Sequence, residues 1–189
     1  MASVSFDPET HEYDGGRLVS VTQALTAAGI IDDTHFTQES RDRGTAVHDA
    51  TYYYDENDLD PDSIDPAIAG YLESYIKWKA AARVKMDWIE RPMKAGALYA
   101  GMPDRIIIVR PRALYDLKSG PYQAWHRIQT ALYVNMLDDP YSYRRFGLYL
   151  KQDGKRANAR EFPREEYASD LSVGLSCVNI ANWKRRNNK

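Results

Sequence analysis

Cysteine is nearly absent: the 189 residues contain one, Cys177. A single thiol excludes an intramolecular disulfide and a four-cysteine zinc or iron–sulfur site within one chain. A buried helical thiol is the plain reading of Cys177. Long apolar runs are missing as well. None approaches the roughly 20 residues of a membrane span, so no membrane partner is expected. The opening MASVSFDPET has no basic stretch followed by an apolar one, so no signal peptide is expected and the cytoplasm is the anticipated compartment. No GxxxxGK[ST] loop occurs, which argues against an ATP motor. Neither sign of charge is in excess. Lys and Arg number 25, Asp and Glu 27, for a net charge of -2. That balance argues against a protein that coats nucleic acid by bulk charge and leaves room for a local basic groove.

What is present is ordinary in bulk: 43% hydrophobic and 28% charged residues, enough chain for one domain with a sizeable core. The acids cluster at Asp55, Glu56, Asp58, Asp60, Asp62 and Asp65, read as one loop. The bases cluster at Lys184, Arg185, Arg186 and Lys189, read as a solvated tail with a DNA-binding tail as the alternative. Turn and cap signals divide the chain into an N-terminal hairpin and short helix (1–35), a central core (36–162) and a last helix with its tail (163–189). In the first part, Asp7-Pro8-Glu9-Thr10 turns a hairpin between Val4–Phe6 and Glu12–Tyr13, and Asp14-Gly15-Gly16 makes a second turn. Ser20 caps a helix over Val21–Ala28 that Gly29 ends. Thr37 opens a helix toward Tyr54, and Asp65-Pro66 opens another that runs to about Arg83. Strands are expected at Trp88–Met93, Leu98–Val109 and Ala113–Lys118. A helix over Tyr122–Leu137, a hairpin of Phe146–Leu150 with Ala157–Phe162, and a helix opened by Pro163 complete the chain. Ile106-Ile107-Ile108-Val109 suits a sheet covered on both faces. The order of elements predicts an α/β (α+β mixed) fold, a central mixed sheet flanked by helices on both faces.

The chemistry concentrates between Gly101 and Tyr133. In a strand over ALYDLKSG, the period of two puts Asp116 and Lys118 on one face and turns Leu117 toward a core. Asp104 lies twelve residues before Asp116, a separation that suits two adjacent antiparallel strands. Two carboxylates brought together in this way can hold a divalent cation, and an amine beside them can orient a water and offset phosphate charge. Trp125, Gln129 and Tyr133 recur at intervals of four and share a helix face, either as core aromatics edged by a glutamine or as partners of the site. Gly44 lies one turn before His48 on the same helix face. A glycine there costs about 1 kcal/mol of helix propensity against alanine, which suggests a close approach to the backbone. His48 can offer imidazole nitrogen to manganese more readily than to magnesium, although a lone helix histidine is as a rule no ligand. His11, His35 and His126 read as structural. Arg41, Arg43, Arg105, Lys151 and Lys155 are candidate phosphate contacts, each with a solvated charge as its alternative.

In this order, GTAVH, GMPD, YDLKSG and HRIQTALY resemble the successive motifs of the PD-(D/E)XK nuclease superfamily, most closely its RecB-like branch of phage-type exonucleases. FDPETHEYDGGRLVSVTQAL also resembles the opening of phage-encoded members. The likeness covers most of the chain to about Leu150. It implies a restriction-endonuclease-like core. It also implies a metal site of His48, Asp104, Asp116 and the Leu117 carbonyl, with Mg2+ or Mn2+ as cofactor. Lys118 would be the catalytic lysine, acting with Asp104 and Asp116, and Gln129 and Tyr133 the branch-specific pair. Glu90 is a possible extra ligand, ranked below His48 because an exposed strand glutamate is the commoner case. Asp116 stands where many members carry Glu, and no cluster-binding cysteines occur. The resemblance implies a DNA exonuclease of phage or bacterial recombination or repair, at work in a bacterial or phage-infected cell. DNA is the implied partner, a single-strand annealing protein a possible second one, and an oligomer is compatible. An endonuclease with the same metal site, or an inactive DNA-binding or assembly module, remains open.

Overall fold

The computed structural model describes residues 4–32, 34, 36–108 and 110–187. Strands β1 (Phe6–Asp7) and β2 (Glu12–Tyr13) form the expected hairpin. Next come β3 (Val19–Ser20) and helix α1 (Val21–Ala27). Ser20 closes a capping box with Gln23, each side chain accepting from the other's backbone N–H, so two of the helix's orphan donors are satisfied locally. Helix α2 (Gln38–Glu56) starts at an N-cap on Thr37, and α3 (Pro66–Ala82) at Asp65 with proline in its first turn.

The centre of the molecule is a five-stranded mixed sheet in the order β10-β9-β8-β7-β4. Its strands are β4 (Trp88–Ile89), β7 (Arg105–Ile107), β8 (Ala113–Lys118), β9 (Arg144–Tyr149) and β10 (Asn158–Phe162). β8 runs parallel to β9 and antiparallel to β7. Strands β5 (Met93–Ala95) and β6 (Tyr99–Gly101) join β3 in a separate three-stranded sheet. Helix α4 covers Trp125–Val134 and α5 Tyr167–Asn187.

Helices flank the central sheet on both faces. Tyr115, Leu117, Phe146 and Leu148 project from one face into a core shared with Val47 and Ala50 of α2 and Tyr71, Leu72 and Tyr75 of α3. Tyr115 and Phe146 stack across β8 and β9 with ring centroids 4.7 Å apart, an adjacent-strand pairing that adds to area burial. From the opposite face Ile106 and Leu114 enter a core with α1, α4 and α5, in which Leu25, Leu132 and Val178 are buried. The isoleucine run thus serves both faces, Ile106 one and Ile107 the other. Val109, the last residue of that run, and His35 lie outside the described residues, as does Lys189. Among the described residues no helix is long and apolar enough to cross a membrane.

Four expectations are corrected. The strands read over 88–93 and 98–109 are each divided between the two sheets, β4 from β5 and β6 from β7; Glu90 at φ 43 breaks the first, and Met102 and Pro103 intervene in the second. Asp55 and Glu56 belong to the last turn of α2 and not to an acidic loop. Asp55 is drawn inside because Arg105, Lys79 and the Tyr75 hydroxyl all donate to it. The helix read over 122–137 is shorter, since Pro121–Ala124 forms no regular element and the chain leaves the helix after Val134. The basic cluster at 184–186 continues α5. Lys184 Nζ donates to the Ala27 carbonyl at 2.6 Å, and Arg185 donates to the carbonyls of Gly16 and Arg17. Cations near a helix C-terminus are favourable, and these two also satisfy carbonyls of the N-terminal segment.

Candidate metal centre

The antiparallel register of β7 on β8 pairs Arg105 with Tyr115, which puts Asp104, one residue before β7, across from Asp116. The register of β4 on β7 pairs Ile89 with Arg105, which puts Glu90 beside Asp104, and the Glu90 N–H donates to the Asp104 carbonyl at 2.9 Å. Helix α2 crosses this end of the sheet and brings in His48. Its Nδ1 lies 3.4 Å from Asp104 Oδ1 and 3.9 Å from Glu90 Oε1. One donor atom from each of His48, Glu90 and Asp104 lies within 4.8 Å of the others. One nitrogen and two carboxylate oxygens at that spacing are a fitting donor set for Mn2+ or Mg2+.

The other Asp104 oxygen, Oδ2, accepts the Leu117 N–H at 2.5 Å. Lys118 gives its own carbonyl to Leu150 on the β9 side. Backbone groups alternate along a strand, so Leu117 turns both N–H and C=O toward the Asp104 edge while its side chain enters the core under α2 and α3. The expected carbonyl donor therefore faces the cluster.

Asp116 lies beside this group, next to Lys118 on the α4 side of the sheet. Its carboxylate is 2.6 Å from Lys118 Nζ. Lys118 Nζ also donates to Gln129 Oε1 at 2.9 Å, and Gln129 Nε2 donates to the Tyr133 hydroxyl at 3.1 Å. The ammonium lies 5.3 Å from the centre of the Trp125 ring, within range of a cation–π attraction. The face of α4 that carries Trp125, Gln129 and Tyr133 thus meets the site, while Ile128 and Leu132 turn to the core. Room for the Tyr133 ring comes from Gly101, where a Cβ would stand 2.7 Å from Tyr133 Cε1.

Burial and the charge of Asp104 raise the affinity of Glu90 and Asp116 for protons. Glu90 is pushed up to about 7, first by burial and then by the charge of Asp104. Asp116 is also raised by burial, with Lys118 opposing and Asp104 reinforcing the shift. Burial holds Tyr133 protonated, helped by the nearby aspartates. A bound cation reverses this logic by favouring the charged carboxylates.

Glu90 is more central than its sequence context suggests. It is no exposed strand residue: its side chain is 17% accessible and Arg105 Nη1 holds it at 3.2 Å. The sequence signal for it lies only in the pairing of β4 with β7. Arg105 is correspondingly no DNA contact. It is 0% accessible and donates to Asp55, Glu90, Thr51 and the Asp104 carbonyl. Lys155 is exposed and pairs with Asp153 at 2.7 Å. Lys151 is exposed at the end of the sheet that carries Lys118. Arg41 and Arg43 line a cavity of about 400 Å³ beside His48 and Lys118, and Gly44 borders that space with nothing within 4 Å of where its Cβ would stand. The close approach inferred at Gly44 is thus no contact with another described part of the protein. His126 is buried, its Nδ1 is 2.9 Å from the Tyr149 hydroxyl, and burial lowers it to about 3. His11 remains exposed. Neither a scan against protein-family models nor a search of curated proteins returns a match for this chain.

Proposed function

We propose that this chain is a Mg2+- or Mn2+-dependent deoxyribonuclease with a restriction-endonuclease-like core, acting from DNA ends as an exonuclease. One observation carries the reading: the His48–Glu90–Asp104 donor cluster stands beside an Asp116–Lys118 pair on paired strands of one sheet. A lysine held between a carboxylate and an amide, next to a cation site, fits hydrolysis of a phosphodiester better than a purely structural ion site, which has no use for the amine.

Under this reading His48, Glu90, Asp104 and the Leu117 carbonyl would hold the ion, and Asp116 would join them or remain the partner of Lys118. A bound divalent ion supplies Lewis-acid stabilisation of phosphate charge and a more acidic water. Lys118, fixed by Asp116 and Gln129, would orient the attacking water and offer positive charge to a phosphate oxygen. Gln129 keeps the ammonium in place and is itself aligned by Tyr133. Arg105 keeps the Glu90 carboxylate turned toward His48. The expected reaction is hydrolysis of DNA to products bearing a 5′-phosphate.

The test is an assay on end-labelled linear duplex and on covalently closed circular DNA with Mg2+, Mn2+ or chelator. The proposal expects metal-dependent loss of the linear substrate alone. Cleavage of the closed circle would make the enzyme an endonuclease. Wild-type protein that degrades neither DNA with either metal would overturn the reading.

A further inference from the structure

The cavity between the start of α2 and the segment after β8 has a lining of one sign. Arg41, Arg43 and Lys118 contribute cationic groups, and no carboxylate occurs among its described lining residues, although the chain as a whole carries a net charge of -2. Arg43 Nε is buried with no hydrogen-bond partner among the described residues. An arginine nitrogen withdrawn from water without an acceptor is costly, and a turn of the side chain toward the cavity, where a ligand oxygen accepts from it, removes that cost. Phe36 and Trp125 add aromatic walls, with Arg41 lying over the Phe36 ring at 5.9 Å. The cavity also shares His48 and Lys118 with the metal centre, so an occupant borders the reacting phosphate.

We propose that this cavity is a nucleotide subsite. Arg43 grips the phosphate next to the scissile one, and the aromatic walls take the attached base. The proposal rests on the nuclease reading for its biological meaning, but the site itself is a nucleotide-sized anion pocket that can be tested without cleavage. Gly44 belongs to it, because any side chain there would project into the open space that the nucleotide fills.

The test is a titration of the metal-free, full-length protein with thymidine 5′-phosphate and with thymidine, followed by NMR on the Gly44 and Gly120 amides and the Trp125 indole. The nucleotide is expected to move all three. Thymidine and the Arg43→Gln variant titrated with nucleotide are each expected to bind about tenfold more weakly or worse, the scale of one charge-assisted contact. Gly44→Leu supplies a second variant in case Arg43→Gln does not fold. The space around its Cβ tolerates the substitution, helix propensity improves, and nucleotide binding should be lost. Overturning results are unmoved resonances, equal affinity for thymidine and its phosphate, or nucleotide affinity unchanged in a folded variant. Nucleotide binding by a protein that cleaves no DNA would sink the nuclease reading and keep the subsite. DNA cleavage without nucleotide binding here would do the reverse.

Discussion

At the scale of single residues, Glu90 and Asp116 are acids whose burial disfavours their charged forms. Glu90 rises from an ordinary 4.5 to about 7 because burial and Asp104 oppose its charge. Between those two values the folded state holds a proton that the unfolded chain releases, so this group makes the metal-free protein less stable as pH rises through the window. Asp116 is raised too and acts in the same sense. A divalent ion offsets the repulsion between the charged acids, so the increase in melting temperature caused by Mn2+ should be larger at pH 8 than at pH 5.5. Thermal melts at both pH values check this, and an equal increase would show that Glu90 takes no part. Glu90→Gln keeps the shape and removes the charge, and should weaken Mn2+ by about tenfold or more, at least the loss that follows from removing a group that merely supports a ligand. The prominence of Glu90 was illegible in the sequence, because an isolated glutamate after two strand residues has no distinguishing pattern. Asp104, Asp116 and Lys118 were legible from spacing, since a period of two and an antiparallel link constrain where such side chains go.

At the scale of elements, the site depends on how α2 is fastened to the sheet. His48 comes from α2, the acids from the residue before β7, from β8 and from the residue after β4, and the link is the buried network around Arg105. Arg105 joins Asp55 and Thr51 of α2 to Glu90, and Lys79 and Tyr75 of α3 bind the same Asp55. Removing one partner of such a network leaves uncompensated buried charge, at a cost of about 3–5 kcal/mol. Arg105→Met should lower stability by that order in denaturant unfolding, and should weaken Mn2+ binding in whatever fraction stays folded. A change below about 1 kcal/mol would mean that the network is not the brace described. The helices themselves were readable from Ser20, Thr37 and Asp65, because caps are local chemistry. The long strands were not, because the switch between sheets at Glu90 and at Met102-Pro103 is decided by tertiary pairing. The inward turn of Asp55 was hidden for the same reason: an acidic run looks solvated until its buried arginine is known.

At the scale of the whole molecule, helices on both faces of a mixed sheet leave one end of that sheet to carry the chemistry, and α5 closes the molecule back onto its beginning. Lys184 and Arg185 reach carbonyls at Ala27, Gly16 and Arg17, so the basic run read as a solvated tail takes part in tertiary structure. The layered α/β architecture follows from hydrophobic periodicity and was visible in advance. The convergence of α2 on the acidic end of the sheet was not, since no local pattern specifies a helix crossing. Under the proposed function, this convergence grips a divalent cation. Calorimetric titration of Mn2+ into the metal-free protein, beside the Asp104→Asn variant, tests it most directly. Saturable binding is expected of the wild type, lost in the variant while it remains folded. A wild-type protein that takes up no Mn2+, or a folded variant that binds it equally well, would contradict the claim.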